Sequence, residues 1–577
     1  MSGSSLLAGL RRSIALILLG SAAAAAQVVV TPTTPQVGSS NPATAAPLVP
    51  RPTTRPCVVQ LFQNLEFADF NLKSFDYTPP ADCPGPWSKV VFTADFTVTA
   101  GRQFDRTAAF YLGHANIYYG TTAEPRSALS PSWHVENDVT DLAAIFKSPQ
   151  VGEANLGNFV GTSGGVDYTG IIYANAALEF YPANFRNPAP RTPDIVVPVN
   201  GSGGDAGTLN TGSDQITQSL DLPQNVESVY LDVIAQSQSG DEFWYTCVPN
   251  DETGPLESCG NTAFRESEVW VDGKPAGVAP VYPWVYTGGI DPYLWEPIPG
   301  VQTLDFKPYR VDLTPFAGVL GDGATHTVAV SVYNANGYFL ATANLLVFSD
   351  HGSRKVTGGL ISNTLSDAPA PVVKENITQG GTTASPTYAG TVRVSSTRNF
   401  TVSGYVNTSH GRVVTTVTQN MGFVNDQTFN INASTYVQNI QQNSTVNSTT
   451  STRDGFLTTT TERNFRYPLT VDFSAVVNSD GSSYDKTTVA QGYQKDDHTS
   501  LDGFPIYNSN VNEQENSTDT LSFDASGSFL GPTNSNASQS YIWRNSLGEC
   551  YSRTITAAAQ KLTGVTDGQG CPAHWRF

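Results

Sequence analysis

Val90–Val98 reads VVFTADFTV, with apolar and polar residues in alternation. Successive side chains of a strand face opposite ways, so a period of two is the signature of a half-buried β-strand. Working outward, GRQFDRTAAFYLG (residues 101–113) is a strand entered through a polar turn. ANIYYGTTAEP (115–125) is its neighbour, ending at Pro125. Short strands bounded by Gly and Pro continue to LEFYP at Leu178–Pro182, and NDVTDLAAIFKS (137–148) is the helix-like piece between them. Short strands at regular spacing predict a sandwich over residues 57–195. Residues 191–212 are rich in Gly and Pro and read as a connector. A second sandwich is predicted over 196–355 from VYLDVIA, EVWVDG with its Asp272-Gly273 turn, HTVAVSVYN and ANLLVFSD. From 356 to 577 the composition shifts to Thr, Ser, Asn and Gln. Long meandering strands (NFTVSGYV, GRVVTTVTQ, FLTTTTERNF, YPLTVDFSAVV) predict a β-rich domain exposed on both faces, with NIQQNSTVNSTTST (439–452) as a loop.

The 577 residues have room for about three or four domains. A net charge of −19 argues against nucleic acid or an anionic membrane as partner. Arg11 and Arg12 followed by SIALILLGSAAAAA form the basic and apolar regions of a secretory signal peptide over residues 1–26, a run too short and alanine-rich for a comfortable membrane span. No later stretch approaches transmembrane length, so a soluble, extracellular, monomeric mature chain is expected. Residues 27–56, rich in Pro, Thr, Ala and Ser, read as an extended linker. Six cysteines in a chain of this kind predict disulfides. Fifteen connectivities are open, and proximity favours Cys57–Cys83, Cys247–Cys259 and Cys550–Cys571. Asn-x-Ser/Thr acceptors for glycosylation lie at Asn200, Asn376, Asn399, Asn407, Asn432, Asn443, Asn447, Asn516 and Asn536. Eight of these nine follow residue 375, which predicts a glycan-coated tail and a catalytic face elsewhere.

Charged residues are 14% of the chain, yet carboxylates crowd among aromatics from Gly240 to Pro297. Asp241, Glu242, Glu266, Glu268 and Glu296 sit beside Trp244, Tyr245, Trp270, Trp284 and Trp295. Sugars require both kinds of group, flat apolar faces and hydroxyl acceptors. A carboxyl beside an aromatic wall also has its pKa raised by desolvation and becomes fit for proton chemistry. The alternative is that the aromatics are sandwich core and the acids a solvated edge. Asp105 sits beside Arg106, a neighbour that would keep it ionised; a surface salt bridge is the competing reading. Gly161-Thr-Ser-Gly-Gly165 meets the GxSxG pattern but lacks the strand-to-helix elbow that gives the pattern meaning. The seven histidines are scattered without ligand spacing, so neither a metal nor another cofactor is expected.

GRQFDRTAAFYLG, TTAEP, DVT and LGN, then DEFWY, PND, AFRESEVWVDG, TGGIDPYLWEP, DLTPFAG and ANLLVF, resemble in order the acidic peptide:N-glycosidase family, that of peptide-N-glycosidase A (glycopeptide asparagine amidase A). The resemblance runs from about Leu61 to Gly352 and is looser beyond. It implies an all-β fold of two adjacent jelly-roll-like β-sandwiches followed by a C-terminal β-rich domain. It also implies hydrolysis of the amide between the innermost N-acetylglucosamine of an N-glycan and the Asn side chain of a glycopeptide or glycoprotein, turning Asn into Asp. In the distantly similar bacterial two-sandwich glycanase the essential aspartate lies in a WDR word. FDR matches that word, so Asp105 inherits the role. The two glutamates of that enzyme do not carry over: one falls near Asn261, the other near Asn158. Glu242 and Glu266 take their place as catalytic acids. Arg106, Arg265, Asp241, Asn158 and Glu296 are expected to bind substrate, with Trp244, Trp284 and Trp295 stacking on sugars. A non-catalytic, lectin-like sandwich protein is the alternative function, and a glycoside hydrolase using paired carboxylates a third.

Overall fold

A computed structural model describes residues 28–29 and 35–572. The expected signal peptide, residues 1–26, lies outside the described residues. The chain is almost wholly β, as the alternating patterns require. In the first sandwich, strands Cys57–Phe67, Ile172–Pro182, Trp87–Val98 and Ser132–Asp138 form one antiparallel sheet. Strands Lys73–Tyr77, Gln150–Asn155, Thr107–Leu112 and Ala115–Thr121 form the other. Phe92, Phe96 and Val98 point into the space between them while Asp95 and Thr97 face out. The core is aromatic: Phe96 stacks on Trp133 at 5.2 Å and Phe92 on Tyr118 at 5.7 Å. The helix-like piece resolves into two short 3₁₀ turns at Thr140–Leu142 and Ile145–Lys147.

In the second sandwich, Ile195–Val199, Tyr338–Ser349, Val226–Gln238 and Tyr309–Asp312 form one sheet and Ile216–Leu220, His326–Tyr333, Glu266–Val271 and Lys274–Pro280 its partner. Asp272 and Gly273 turn the last hairpin with φ of 50° and 70°, the left-handed pair that a tight two-residue turn demands. The expected connector 191–212 is not a plain loop. Ile195–Val199 and Gly207–Leu209 both pair with Tyr338–Ser349, because alternate residues of IVVPV find an open sheet edge.

The third unit is one wide antiparallel meander running from Thr357–Asn363 to Lys561–Asp567, with Val372–Thr382 paired beside Ser385–Thr408. It is not exposed on both faces. Val392, Val394, Phe400, Val402 and Phe423 share a continuous core with the second sandwich. Their alternates, Arg393, Thr397 and Asn399 among them, face solvent. Residues 439–452 are not a loop either; they lie inside strand Thr435–Asp454, paired on both sides. Flanking strands satisfy this backbone, and Asn425 donates to the inward Gln442 at 2.9 Å, so a polar segment is held without apolar alternation.

Residues 35–56 form a strap and not a free linker. Gly38 N–H donates to Leu562 O, Ala43 N–H to Pro297 O and Ala45 N–H to Gln539 Oε1, while Arg51 is clamped by Glu136 and Glu179 of the first sandwich. Proline-rich chain leaves its remaining backbone groups unpaired, so it can dock wherever neighbours offer partners. Disulfides join Cys57–Cys83, Cys247–Cys259 and Cys550–Cys571. Of the glycosylation acceptors, Asn376, Asn399, Asn407, Asn447, Asn516 and Asn536 are exposed, and Asn432 and Asn443 half-buried. Asn200 is excluded in the folded chain: its buried Nδ2, the atom a glycan would occupy, donates to His114 O and Gly204 O. Among the described residues no helix is long and apolar enough to cross a membrane.

Candidate active site

A cleft of about 900 Å³ opens where the two sandwiches meet, and the third unit contributes to its rim. The first sandwich supplies Asp105 from the turn before strand Thr107–Leu112, and Glu124 from just beyond strand Ala115–Thr121. The two are locked together. Arg106 N–H donates to Thr122 Oγ1 at 2.9 Å and Thr122 N–H to Arg106 O at 2.8 Å, while Asp105 N–H donates to Glu124 Oε2 at 3.1 Å. The second sandwich supplies Glu242, Tyr286 and Gly288. Thr287 Oγ1 donates to Thr122 O at 2.7 Å and Gly288 N–H to Asp105 Oδ2 at 3.1 Å, so the loop of one sandwich is pinned against the carboxyl of the other.

Three carboxyls therefore share one partly dry space. Burial pushes Asp105 above the usual carboxylate range, against the opposing pull of the Gly288 N–H and Arg106. Burial first, and the Asp105 charge second, raise Glu242 to about 7 and Glu124 to about 7. Arg106 favours the ionised form of Asp105, as a positive neighbour should, but desolvation outweighs that pull and the net shift is upward. Arg106 lies over the Phe104 ring at 5.6 Å, and its Nε has no hydrogen-bond partner among the described residues. Carboxyls whose pKa values sit near neutrality, with a guanidinium beside them, can take a proton from water, give one to a leaving group and balance an oxyanion. Among the described residues no group of three or more His, Cys, Asp or Glu is arranged to hold a metal ion.

Gly288 is fixed by close approach. A Cβ there would lie against Glu124 Oε2 and 2.8 Å from Asp105 Oδ1. We expect Gly288→Ala to lower kcat by about tenfold through displaced carboxyls, with little change in Tm, since the methyl intrudes on the cleft and not the core. Steady-state kinetics beside a melting curve checks this.

Several expected site residues lie elsewhere. Glu266 is buried beneath the third unit, ion-paired with Arg398, with Glu268 at 3.4 Å from the same guanidinium; its pKa is raised to about 7 by burial, but it faces this pair and not the cleft. Asp241 and Arg265 bind each other at 2.7 Å with both side chains at 0% exposure, and Asp241 Oδ2 also accepts the Asn336 and Gly337 N–H groups. The 3₁₀ turn Ser239–Asp241 sends Asp241 inward and its neighbour Glu242 into the cleft. Trp244, 1% exposed, packs on Phe423 of the third unit; Trp284 stacks on Phe306 at 4.1 Å; Trp295 donates its Nε1–H to Gly289 O. These three indoles are core, so none is free to meet a sugar. Asn158 is buried and donates to Phe67 O and Gly170 O, a brace at the base of the Gly161–Tyr168 hairpin. Glu296 acts at one remove, accepting the backbone N–H and Nε–H of the cleft residue Arg126. The cleft's aromatic lining is instead Phe104, Tyr286, Tyr293 and Phe529. Glu124 and Gly288 were carried by the TTAEP and TGGIDPYLWEP words, where a lone acid before proline and a glycine pair are the available signals. Nothing in the sequence marks Phe529.

Residues 47–366 match the family described as peptide N-acetyl-beta-D-glucosaminyl asparaginase amidase A, and residues 391–469 match the PNGase A C-terminal domain. The chain is 30% identical over 396 residues to the peptide-N4-(N-acetyl-beta-glucosaminyl)asparagine amidase A of Prunus dulcis, covering 65% of this chain and 67% of that one. Among solved structures, PNGF-II in a C2 crystal form is 14% identical with a TM-score of 0.36, over 52% of this chain and 66% of its own. PNGase F of Flavobacterium meningosepticum, a glycosylasparaginase, is 13% identical with a TM-score of 0.34, over 51% of this chain and 96% of its own. The fold, the carboxyl cleft and the family match together define an amidase built on paired β-sandwiches. The chain belongs to the peptide N-acetyl-beta-D-glucosaminyl asparaginase amidase A family, and carries that family's C-terminal domain.

Proposed function

We propose that this protein is a secreted glycoamidase that hydrolyses the bond between the innermost N-acetylglucosamine of an N-glycan and its asparagine. The observation that carries the reading is the meeting of Asp105, Glu124 and Glu242 in one cleft between the sandwiches. Asp105 takes a proton from water, and the water oxygen attacks the side-chain carbonyl carbon. Arg106 balances the charge that develops on the carbonyl oxygen. Glu242, which lines the cleft with a raised pKa, gives its proton to the departing nitrogen as the carbon–nitrogen bond breaks. Glu124, tied to the Asp105 backbone, holds the aspartate in register. The glycan leaves as a glycosylamine, which loses ammonia in water, and the peptide retains Asp where Asn stood. The three disulfides and the acidic, sequon-bearing chain support an extracellular setting.

A glycopeptide digest followed by mass spectrometry tests the reading. We expect the peptide to lose the whole glycan and gain the mass change of Asn to Asp. A peptide that keeps one N-acetylglucosamine indicates a glycoside hydrolase, and an unchanged glycopeptide that nonetheless binds indicates a lectin; either outcome ends the proposal.

A further inference from the structure

One wall of the cleft comes from the far end of the chain. The hairpin joining Phe504–Phe523 to Phe529–Asn545 turns at Asp524–Ser528 and delivers Phe529 to the rim. Its ring meets Tyr293 at 5.5 Å and is backed by Phe523 at 5.5 Å, yet it remains 44% exposed. Tyr293 rests on the Arg126 guanidinium, 3.8 Å from the ring centroid, and Arg126 is itself held by Glu296 at 2.8 Å. Asp291 Oδ1 accepts the Tyr293 N–H, and strands Phe504–Phe523 and Phe529–Asn545 of the third unit pack against the turn Pro292–Trp295, so the meander is seated on this loop. A large apolar ring left half open, packed at a tilt against a second ring and braced from behind, is a platform awaiting an apolar face.

We propose that Tyr293 and Phe529 form a carbohydrate subsite for sugars beyond the innermost one, which makes the C-terminal meander part of the substrate site. This rests on the glycoamidase reading above. The ligand class follows from the wall's chemistry. A pyranose offers a flat C–H face to the rings and hydroxyls to the neighbouring Ser127 and Tyr293 hydroxyl groups. An extended peptide would instead seek an open strand edge. Strand Ala115–Thr121, which runs to the cleft, has its outer edge occupied: Thr121 N–H donates to Thr303 O and Phe306 N–H to Tyr119 O.

The test uses the full chain, wild type, Phe529→Ala and Phe529→Tyr, on one peptide carrying either a single N-acetylglucosamine or the trimannosyl-chitobiose core. For the long glycan, Phe529→Ala should raise KM by about three- to tenfold with kcat unchanged. The single-sugar substrate should be indifferent, and Phe529→Tyr should restore the wild-type ratio. Equal losses on both substrates, no loss on either, or a loss that tracks peptide length at constant glycan overturns the subsite. If wild type converts no Asn to Asp, the glycoamidase reading falls and takes the subsite with it; an active wild type with an indifferent Phe529→Ala ends the subsite alone.

Discussion

Asp105→Asn should abolish turnover, lowering kcat by about a thousandfold or more, while Tm at neutral pH stays level or rises. The loss follows from chemistry. An amide cannot accept the proton of an attacking water, yet it fills the same volume and its oxygen still accepts the Gly288 N–H that Asp105 now takes at 3.1 Å. The stability half has its own sign. The folded pKa of Asp105 is raised by burial, so its contribution to stability is complete below the unfolded value and is lost as pH climbs through the raised value. Asparagine carries no such penalty. Single-turnover kinetics and calorimetry at pH 7 decide the matter: near-normal activity, or a collapse of Tm that alone explains the loss, removes Asp105 from the mechanism.

Glu242→Gln should cost about a hundredfold in kcat and change the shape of the pH profile. In the wild type, activity rises as Asp105 deprotonates and falls as Glu242, with its pKa near 7, loses the proton it must donate. The carboxyls interact, so the two limbs belong to the cluster as a whole. Glutamine has no proton to give at any pH, so the alkaline limb should flatten. The stability sign agrees with that of Asp105: raised from 4.5 to about 7, Glu242 stabilises the fold fully below pH 4.5 and progressively less from there to about pH 7. The variant should therefore melt higher than wild type at pH 8 and equally at pH 4. A variant that retains the alkaline limb shifts the acid role to Glu124, whose pKa is raised for the same two reasons.

Much of the fold was legible because its signals are short-range. VVFTADFTV alternates and is a strand; Asp272-Gly273 has turn chemistry and is a turn. The misreadings share a cause. Residues 439–452 hold no apolar alternation, and residues 35–56 no period at all, yet both are ordered by neighbours distant in the chain. An indole serves equally as core or as sugar platform, so Trp244 and Trp284 could not be assigned before the sheet over one and the Phe306 ring against the other were seen. Asp241 and Glu242 are adjacent in sequence and opposite in fate, since a single 3₁₀ turn directs one to Arg265 and the other to the cleft.

Periodicity, turn residues and rare words established from the amino-acid order alone a chain of consecutive β-sandwiches, and they singled out the aspartate of the FDR word at position 105 as a candidate. Those are properties of residues within a few positions of one another. Which acids stand with that aspartate was decided only by assembly. Residues 105, 124, 242, 288 and 529 are brought to one cleft by three separate units, and the water excluded when the units close is what lifts the carboxyls toward neutrality.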